Sequence, residues 1–172
     1  MVKGARKLES MDIATLSAIE EIKRVKYRYL RCVDLKDWDE LAGTLAPDVT
    51  ANYGTPAMGE PLNFTGRTEL IDFLSTTLDE KITTVHAAGQ PEIDIEGTRA
   101  HGVWSFQDKV IAKEHKVVIE GAAFYEDSYV FEEQGGWLIR HTGYTRTYEA
   151  TYSFESIPGY RLTSTPGRLT TT

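Results

Sequence analysis

Residues 26–49 read KYRYLRCVDLKDWDELAGTLAPDV, two amphipathic runs separated by acids and closed by a proline-containing step into apolar sequence. Tyr29, Leu30 and Val33 continue a helical spacing begun by Ile19 and Ile22, and Ser17-Ala18-Ile19-Glu20 has capping-box form. A long first helix to about residue 34 is therefore expected. Asp37-Trp38-Asp39-Glu40 repeats the cap-plus-three pattern and predicts a short second helix through Leu41 and Leu45, ended by Pro47. A strand from Val49 to Tyr53 follows, then a Pro- and Gly-containing loop from Gly54 to Thr65. Leu70, Phe73, Leu74 and Leu78 then mark one face of a third helix.

Beyond residue 81 the signal changes to strand. Ile82 to His86, Glu92 to Ile95, Arg99 to Ile111, Val117 to Phe131 and Trp137 to Tyr148 are β-rich, with turn signals at Glu96-Gly97 and Gln134-Gly135-Gly136. Helices first and strands afterwards argue for an α+β domain with an antiparallel sheet rather than alternating βαβ units. Period-2 alternation puts Trp104, Phe106, Asp108 and Val110 on one face, and sets Tyr144, Arg146 and Tyr148 opposite Trp137, Ile139 and His141. The chain divides into an N-terminal extension (1–16), the domain (17–155) and a tail (156–172). The tail's Pro158, Gly159, Pro166 and Gly167 among serines and threonines leave little to bury.

The 172 residues fit one domain able to bury roughly two-thirds of its unfolded surface. A net charge of -7 disfavours nucleic acid and anionic membrane as partners, since both require a basic face. The lone Cys32 has no internal disulfide partner and reads as a small buried hydrophobe on the first helix. Lys3, Arg6 and Lys7 are followed by no apolar core of a leader, so a soluble, cytoplasmic protein is expected.

Asp34 is the anomaly in this pattern. It closes the first helix, where the partial negative charge of the helix end disfavours a carboxylate unless a group such as an imidazole compensates it. His86 lies in the β-branched stretch Ile82-Thr83-Thr84-Val85-His86, and an Asp–His pair in a pocket is a general acid/base unit. With Tyr29, Tyr53, Asp108 and Arg146 these form a candidate constellation. Each also has a plain structural reading: Asp34 as the cap of the next helix, His86 as a satisfied strand residue, Tyr29 as core, Asp108 as half of an ion pair, Arg146 as a solvated strand residue. The histidines at 86, 101, 115 and 141 show no metal-binding spacing, and no glycine-rich nucleotide motif occurs, so neither metal nor nucleotide cofactor is expected.

The segments KYRYLRCVDLKDWDELAGTLAPDV, VHAAGQPEI and GAAFYEDSYVFEEQGGWLIRHTGYTRTYEA resemble the SnoaL-like branch of the cone-shaped α+β barrel (nuclear transport factor two-like, cystatin-like) superfamily. The likeness runs from about residue 17 to 152, with gaps around 55–62, and within the branch it leans to the bacterial bile acid 7α-dehydratases. It implies three N-terminal helices on a strongly curved mixed or antiparallel sheet enclosing a pocket, a homotrimer and no cofactor. It also implies catalytic roles for Tyr29, Asp34 and His86, and substrate-binding roles for Tyr53, Asp108 and Arg146. Gln90, His141 and Thr145 depart from the pattern around these positions.

The implied activity is a hydro-lyase acting on a hydroxylated, carbonyl-bearing polycyclic molecule, steroid- or bile-acid-like, as the acid or its coenzyme A thioester. His86 would serve as base and then acid, Asp34 would fix its tautomer, and Tyr29 with Tyr53 would face the developing enolate. Asp108 would hold a substrate hydroxyl and Arg146 a carboxylate or phosphate. Cyclisation, isomerisation or dehydrohalogenation by the same pair, or a non-catalytic binding module, are the competing expectations.

Overall fold

Helix α1 (Ile13–Leu35) starts earlier than the Ser17 capping box implies, because the Asp12 carboxylate already accepts the Thr15 N–H at 2.7 Å. A computed structural model describes residues 12–55, 57, 59 and 62–163. The expected extension before residue 12 and the tail beyond 163 lie outside the described residues. At the far end of α1 the left-handed Lys36 (φ 61°) returns its N–H to the carbonyls of Cys32 and Val33, which turns the chain sharply. Asp37 then caps α2 (Trp38–Ala42), accepting from the Glu40 N–H.

Strand β1 (Leu45–Tyr53) begins sooner than expected. Gly43 closes α2, and the Thr44 hydroxyl donates to the Leu41 carbonyl at 2.7 Å, so Leu45 is already strand. Pro47 therefore lies inside β1 instead of ending a helix. It is tolerated there because the register against the partner strand shifts between Leu45 and Thr50, which releases the ladder position that a proline cannot serve. Part of the expected loop forms β2 (Leu62–Thr65), followed by α3 (Arg67–Thr77). Two helices thus precede the first strand and the third lies between β2 and β3.

Four long strands complete the chain: β3 (Ile82–Glu96), β4 (Arg99–Ala112), β5 (Val117–Glu132) and β6 (Gly136–Ser153), with a 3-10 turn at Phe154–Ser156. The two expected strands at 82–86 and 92–95 are one strand, bent by a bulge between Gly89 and Glu92 where Gln90 takes φ 49°. The sheet order is β2-β1-β6-β5-β4-β3. All neighbours are antiparallel except β1 and β6, which run parallel, so the sheet is mixed. Repeated bulges let strands of this length curl around the helices.

Two bulges in the β5–β6 ladder overturn the parity reading of β6. The register slips at Ser128/Tyr129 and again at Ala122/Ala123. Each slip turns the following side chains to the other face. Trp137 and Ile139 consequently join the core, against which Tyr144 packs, while Tyr148 is 53% exposed and His141 bonds Thr50 at 2.8 Å near the surface.

The core fills the space between α1, α3 and the inner sheet face with Ile22, Leu30, Val33, Leu41, Leu70, Trp104, Phe106, Tyr125 and Ile139. Cys32 is buried as its sequence context suggests, and burial pushes its thiol up to about 12, leaving it protonated. Within this core Lys26 and Asp127, both fully buried, pair at 2.7 Å, and the ammonium sits 3.3 Å from the Tyr125 ring centroid. Asp127 also accepts from the Tyr129 hydroxyl at 2.8 Å, which in turn accepts from Trp104 Nε1 at 3.0 Å. Among the described residues no helix is long and apolar enough to cross a membrane, and no group of three or more His, Cys, Asp or Glu could hold a metal ion.

Removing one partner of a buried pair strands the other charge, at a cost of about 3–5 kcal/mol, whereas replacing both by apolar groups is close to neutral. Lys26→Met is expected to lower unfolding stability by that amount in urea titrations, and Lys26→Met with Asp127→Leu to recover most of it. Equal losses in the single and double variants would show that the pair is not the source of the effect.

Candidate active site

The end of α1 is fastened to β3 through the Asp34 carboxylate. One oxygen, Oδ1, accepts from the Thr84 hydroxyl at 2.8 Å and lies 2.6 Å from His86 Nδ1; the other accepts the His86 backbone N–H at 2.9 Å. A carboxylate can only accept, so Nδ1 carries the proton and Nε2 is left as the basic nitrogen of the ring. The imidazole stacks on Phe106 with ring centroids 5.8 Å apart and is 12% exposed at its side chain. Thus the carboxylate that opposes the helix dipole is compensated by three donors from β3.

Lys36 adds a cation to this junction. Its ammonium donates to the Thr84 hydroxyl at 3.1 Å, which itself donates to Asp34. Burial pulls Lys36 down to about 8, against the opposing pull of Asp34 and Asp79.

The sheet register assembles the rest. His86 on β3 stands opposite Asp108 on β4, Asp108 opposite Gly121 on β5, and Gly121 opposite Glu149 on β6. The Arg146 guanidinium lies over Gly121, where an added Cβ would come within 2.9 Å of Nη1 and 2.5 Å of the Tyr148 carbonyl oxygen. From there Arg146 donates twice to Asp108, at 2.5 and 2.8 Å, and its Nε is 3.2 Å from Glu149. These three side chains are 5–8% exposed. Burial acts to lower Arg146, but the bonds and charge of Asp108, with Tyr144 and Glu149, more than offset it and raise it overall.

The third pair is phenolic. Tyr29 and Tyr53 are buried with their hydroxyls 2.5 Å apart, and Tyr53 stacks on Tyr144 at 5.5 Å. Burial raises both phenols, so each keeps its proton at neutral pH, and it pushes Tyr144 up to about 12.

Tyr53, His86, Asp108 and Arg146 line one cavity of about 360 Å³, with Tyr144 beside them and Phe73, Leu74, Leu78 and Val110 among its apolar walls. Its other end is bounded by Ala112, the exposed His115, Val117 and Ile119. Asp34 stands behind His86 and Tyr29 behind Tyr53, outside the lining. All six expected residues therefore gather in one region as three contacting pairs, but only four face the cavity. Arg146 differs most from expectation: it is not an open anchor but is already held by two carboxylates. Thr84, Gly121, Tyr144 and Glu149 escaped the sequence reading. Thr84 was accessible, since it shares the strand face of His86 two residues away. Glu149 was not, because it reaches the face of Arg146 only through the bulge between them.

A family model described as a SnoaL-like domain matches residues 14–143, most of the chain. The chain belongs to the SnoaL-like domain family. Solved structures with the same fold include a putative scytalone dehydratase from Novosphingobium aromaticivorans DSM 12444, 20% identical, covering 83% of this chain and 92% of that one at a TM-score of 0.72. A hexachlorocyclohexane dehydrochlorinase, LinA type 2, is 18% identical, covers 83% and 94%, and scores 0.70. LinA-type3 from Novosphingobium barchaimii LL02 is 15% identical, covers 90% and 99%, and scores 0.72. At these identities the likeness establishes that this SnoaL-like domain has the fold of those proteins.

The lowered Lys36 gives the junction a pH signature. Between about 8 and its ordinary value of 10.5 the folded state holds fewer protons at Lys36 than the unfolded chain, so stability rises with pH across that window. Below about 8 the penalty of burying the charged ammonium is fully present; above 10.5 it is gone. Denaturation from pH 7.5 to 10.5 is expected to show wild type gaining on Lys36→Met as pH increases. Parallel pH profiles for the two proteins would contradict this reading.

Proposed function

We propose that this SnoaL-like protein is a cofactor-independent lyase that removes water from a hydroxylated, carbonyl-bearing polycyclic molecule by Asp–His general acid/base catalysis. The observation that carries the reading is the 2.6 Å contact from Asp34 to His86 Nδ1, which leaves Nε2 as the base of a ring that lines an apolar cavity. In the proposed reaction Nε2 takes the proton that the carbonyl acidifies through the conjugated double bond, from the carbon beside the one bearing the hydroxyl, and the electron pair moves into a dienolate. The dienolate then re-forms the carbonyl, a further conjugated carbon–carbon double bond forms, and the hydroxyl on the adjoining carbon departs with the proton that His86 returns, leaving as water. Asp34 stabilises the imidazolium while it exists.

Enolate charge develops on the carbonyl oxygen, where a neutral phenol donor is most effective. Tyr53 is the phenol on the cavity wall. If Tyr29 donates its own proton to the Tyr53 oxygen, the Tyr53 proton is free to point at the substrate, so Tyr29 acts as the positioning residue behind it. Burial, which keeps both phenols protonated, supports this division.

The finer assignment within this class is a steroid- or bile-acid-like ring system, supported by the resemblance of the three sequence segments to the bile acid 7α-dehydratases. The same resemblance supports a homotrimer, and the outward Phe124 and Tyr148 are apolar side chains that such an interface would cover. Structural neighbours named as a dehydratase and as dehydrochlorinases both denote eliminations, which favours loss of halide as the second reading of the same pair.

Incubation with 7-hydroxy-3-oxo-4-ene steroid acids and their thioesters, followed by ultraviolet absorbance and product mass, tests the proposal. Wild type is expected to yield a longer-wavelength chromophore with loss of one water, and His86→Ala to lower kcat by about 10²–10⁴-fold. Undiminished turnover by His86→Ala would remove the histidine from the chemistry. Loss of halide from chlorinated cyclohexanes, with no dehydration, would move the assignment to the second reading.

A further inference from the structure

At the inner end of the cavity the charges are already spent. Arg146 is the cation on the cavity wall, and its fork is committed to Asp108 while its Nε faces Glu149. A tyrosine covers the guanidinium, with Cζ 4.9 Å from the Tyr144 ring centroid. Behind the wall stands Asp34, whose neighbouring cation Lys36 reaches it through Thr84. Three carboxylates, Asp34, Asp108 and Glu149, thus confront two cations. Glu149 is itself fixed, accepting from the Thr55 hydroxyl at 2.7 Å and the Ala57 N–H at 2.6 Å, so it is not free to swing aside for an incoming anion.

From this arrangement we infer that Glu149 is a specificity-determining residue: with Asp108 it neutralises Arg146, so the inner end of the cavity takes an uncharged oxygen function and rejects an anionic one. An incoming carboxylate would have to displace Asp108, the buried, twofold-bonded partner of Arg146, and leave it unpaired in a site with an excess of negative charge. A hydroxyl or ketone meets no such penalty and finds donors in Tyr53 and in the guanidinium hydrogens not used by Asp108. The inference deepens the proposed function and rests on this cavity being the place where His86 acts. It sets the orientation of the substrate: an uncharged ring oxygen enters first, and any acid or thioester handle stays at the end bounded by His115.

Symmetric naphthalenes test this without ambiguity of orientation, because whichever end enters first carries the same group. Naphthalene fluorescence titrations would give the affinities of 2,6-dihydroxynaphthalene and naphthalene-2,6-dicarboxylate for wild type, Glu149→Gln and Asp108→Asn. Wild type is expected to favour the dihydroxy probe by at least about tenfold, and the ratio to fall by about tenfold in Glu149→Gln. Taking a ratio cancels any common loosening of residues around Thr55, and Asp108→Asn supplies the same test should Glu149→Gln fold poorly. Equal affinities in wild type, a ratio unmoved in both variants, or no binding of the dihydroxy probe would each overturn the inference. The readout is binding alone, so a failure of the lyase assignment shows in turnover while this ratio stands, and the reverse also holds.

Discussion

The structure depends on a carboxylate placed at the wrong end of a helix. Asp34 opposes the dipole of α1, and its position becomes favourable only because β3 supplies a backbone N–H, a hydroxyl and an imidazole to it. One set of hydrogen bonds therefore has two effects. It docks the longest helix on an edge strand of the sheet, and it fixes which nitrogen of His86 is basic. The contact that seats α1 and the contact that sets the imidazole tautomer are the same contact, so neither can loosen without the other.

The rest of the inner end follows from register. Because β3, β4, β5 and β6 align His86, Asp108, Gly121 and Glu149 in one row, a glycine opens the space that the Arg146 guanidinium fills. The bulge at Ala122/Ala123 then brings Glu149 to the same face as Arg146 despite a spacing of three. The outcome is a cavity with a neutralised polar end and apolar walls. The buried Lys26–Asp127 pair lies deeper, within the core, and serves the packing around Tyr125 and Tyr129.

Much of this was legible in the chain. The helical spacing through Tyr29, Leu30 and Val33 located α1, and the misfit of Asp34 with its dipole pointed to the compensating contact that His86 makes. The turn signals at Glu96-Gly97 and Gln134-Gly135-Gly136 separated the strands correctly. Alternation served β4, where no register shift lies between Arg99 and Ala112 and Trp104, Phe106 and Asp108 do share the inner face. It failed in β6, where two bulges reverse the parity and no side chain in the sequence announces them. Pro47 misled for a related reason: a proline signals a helix end unless a bulge excuses it inside a strand. The neutralisation of Arg146 by a second carboxylate was out of reach as well, since it depends on Glu149 crossing to the same face.

The central claim is that Asp34 holds His86 with its proton on Nδ1 and its lone pair on Nε2. Side-chain 15N NMR of the histidines at alkaline pH, assigned by comparison with His86→Gln, reads that tautomer directly, and Asp34→Asn tests its cause. The account predicts a protonated Nδ1 and an unprotonated Nε2 for His86 in wild type, with the preference lost in Asp34→Asn. A His86 protonated on Nε2 in wild type, or a tautomer indifferent to Asp34, would contradict it.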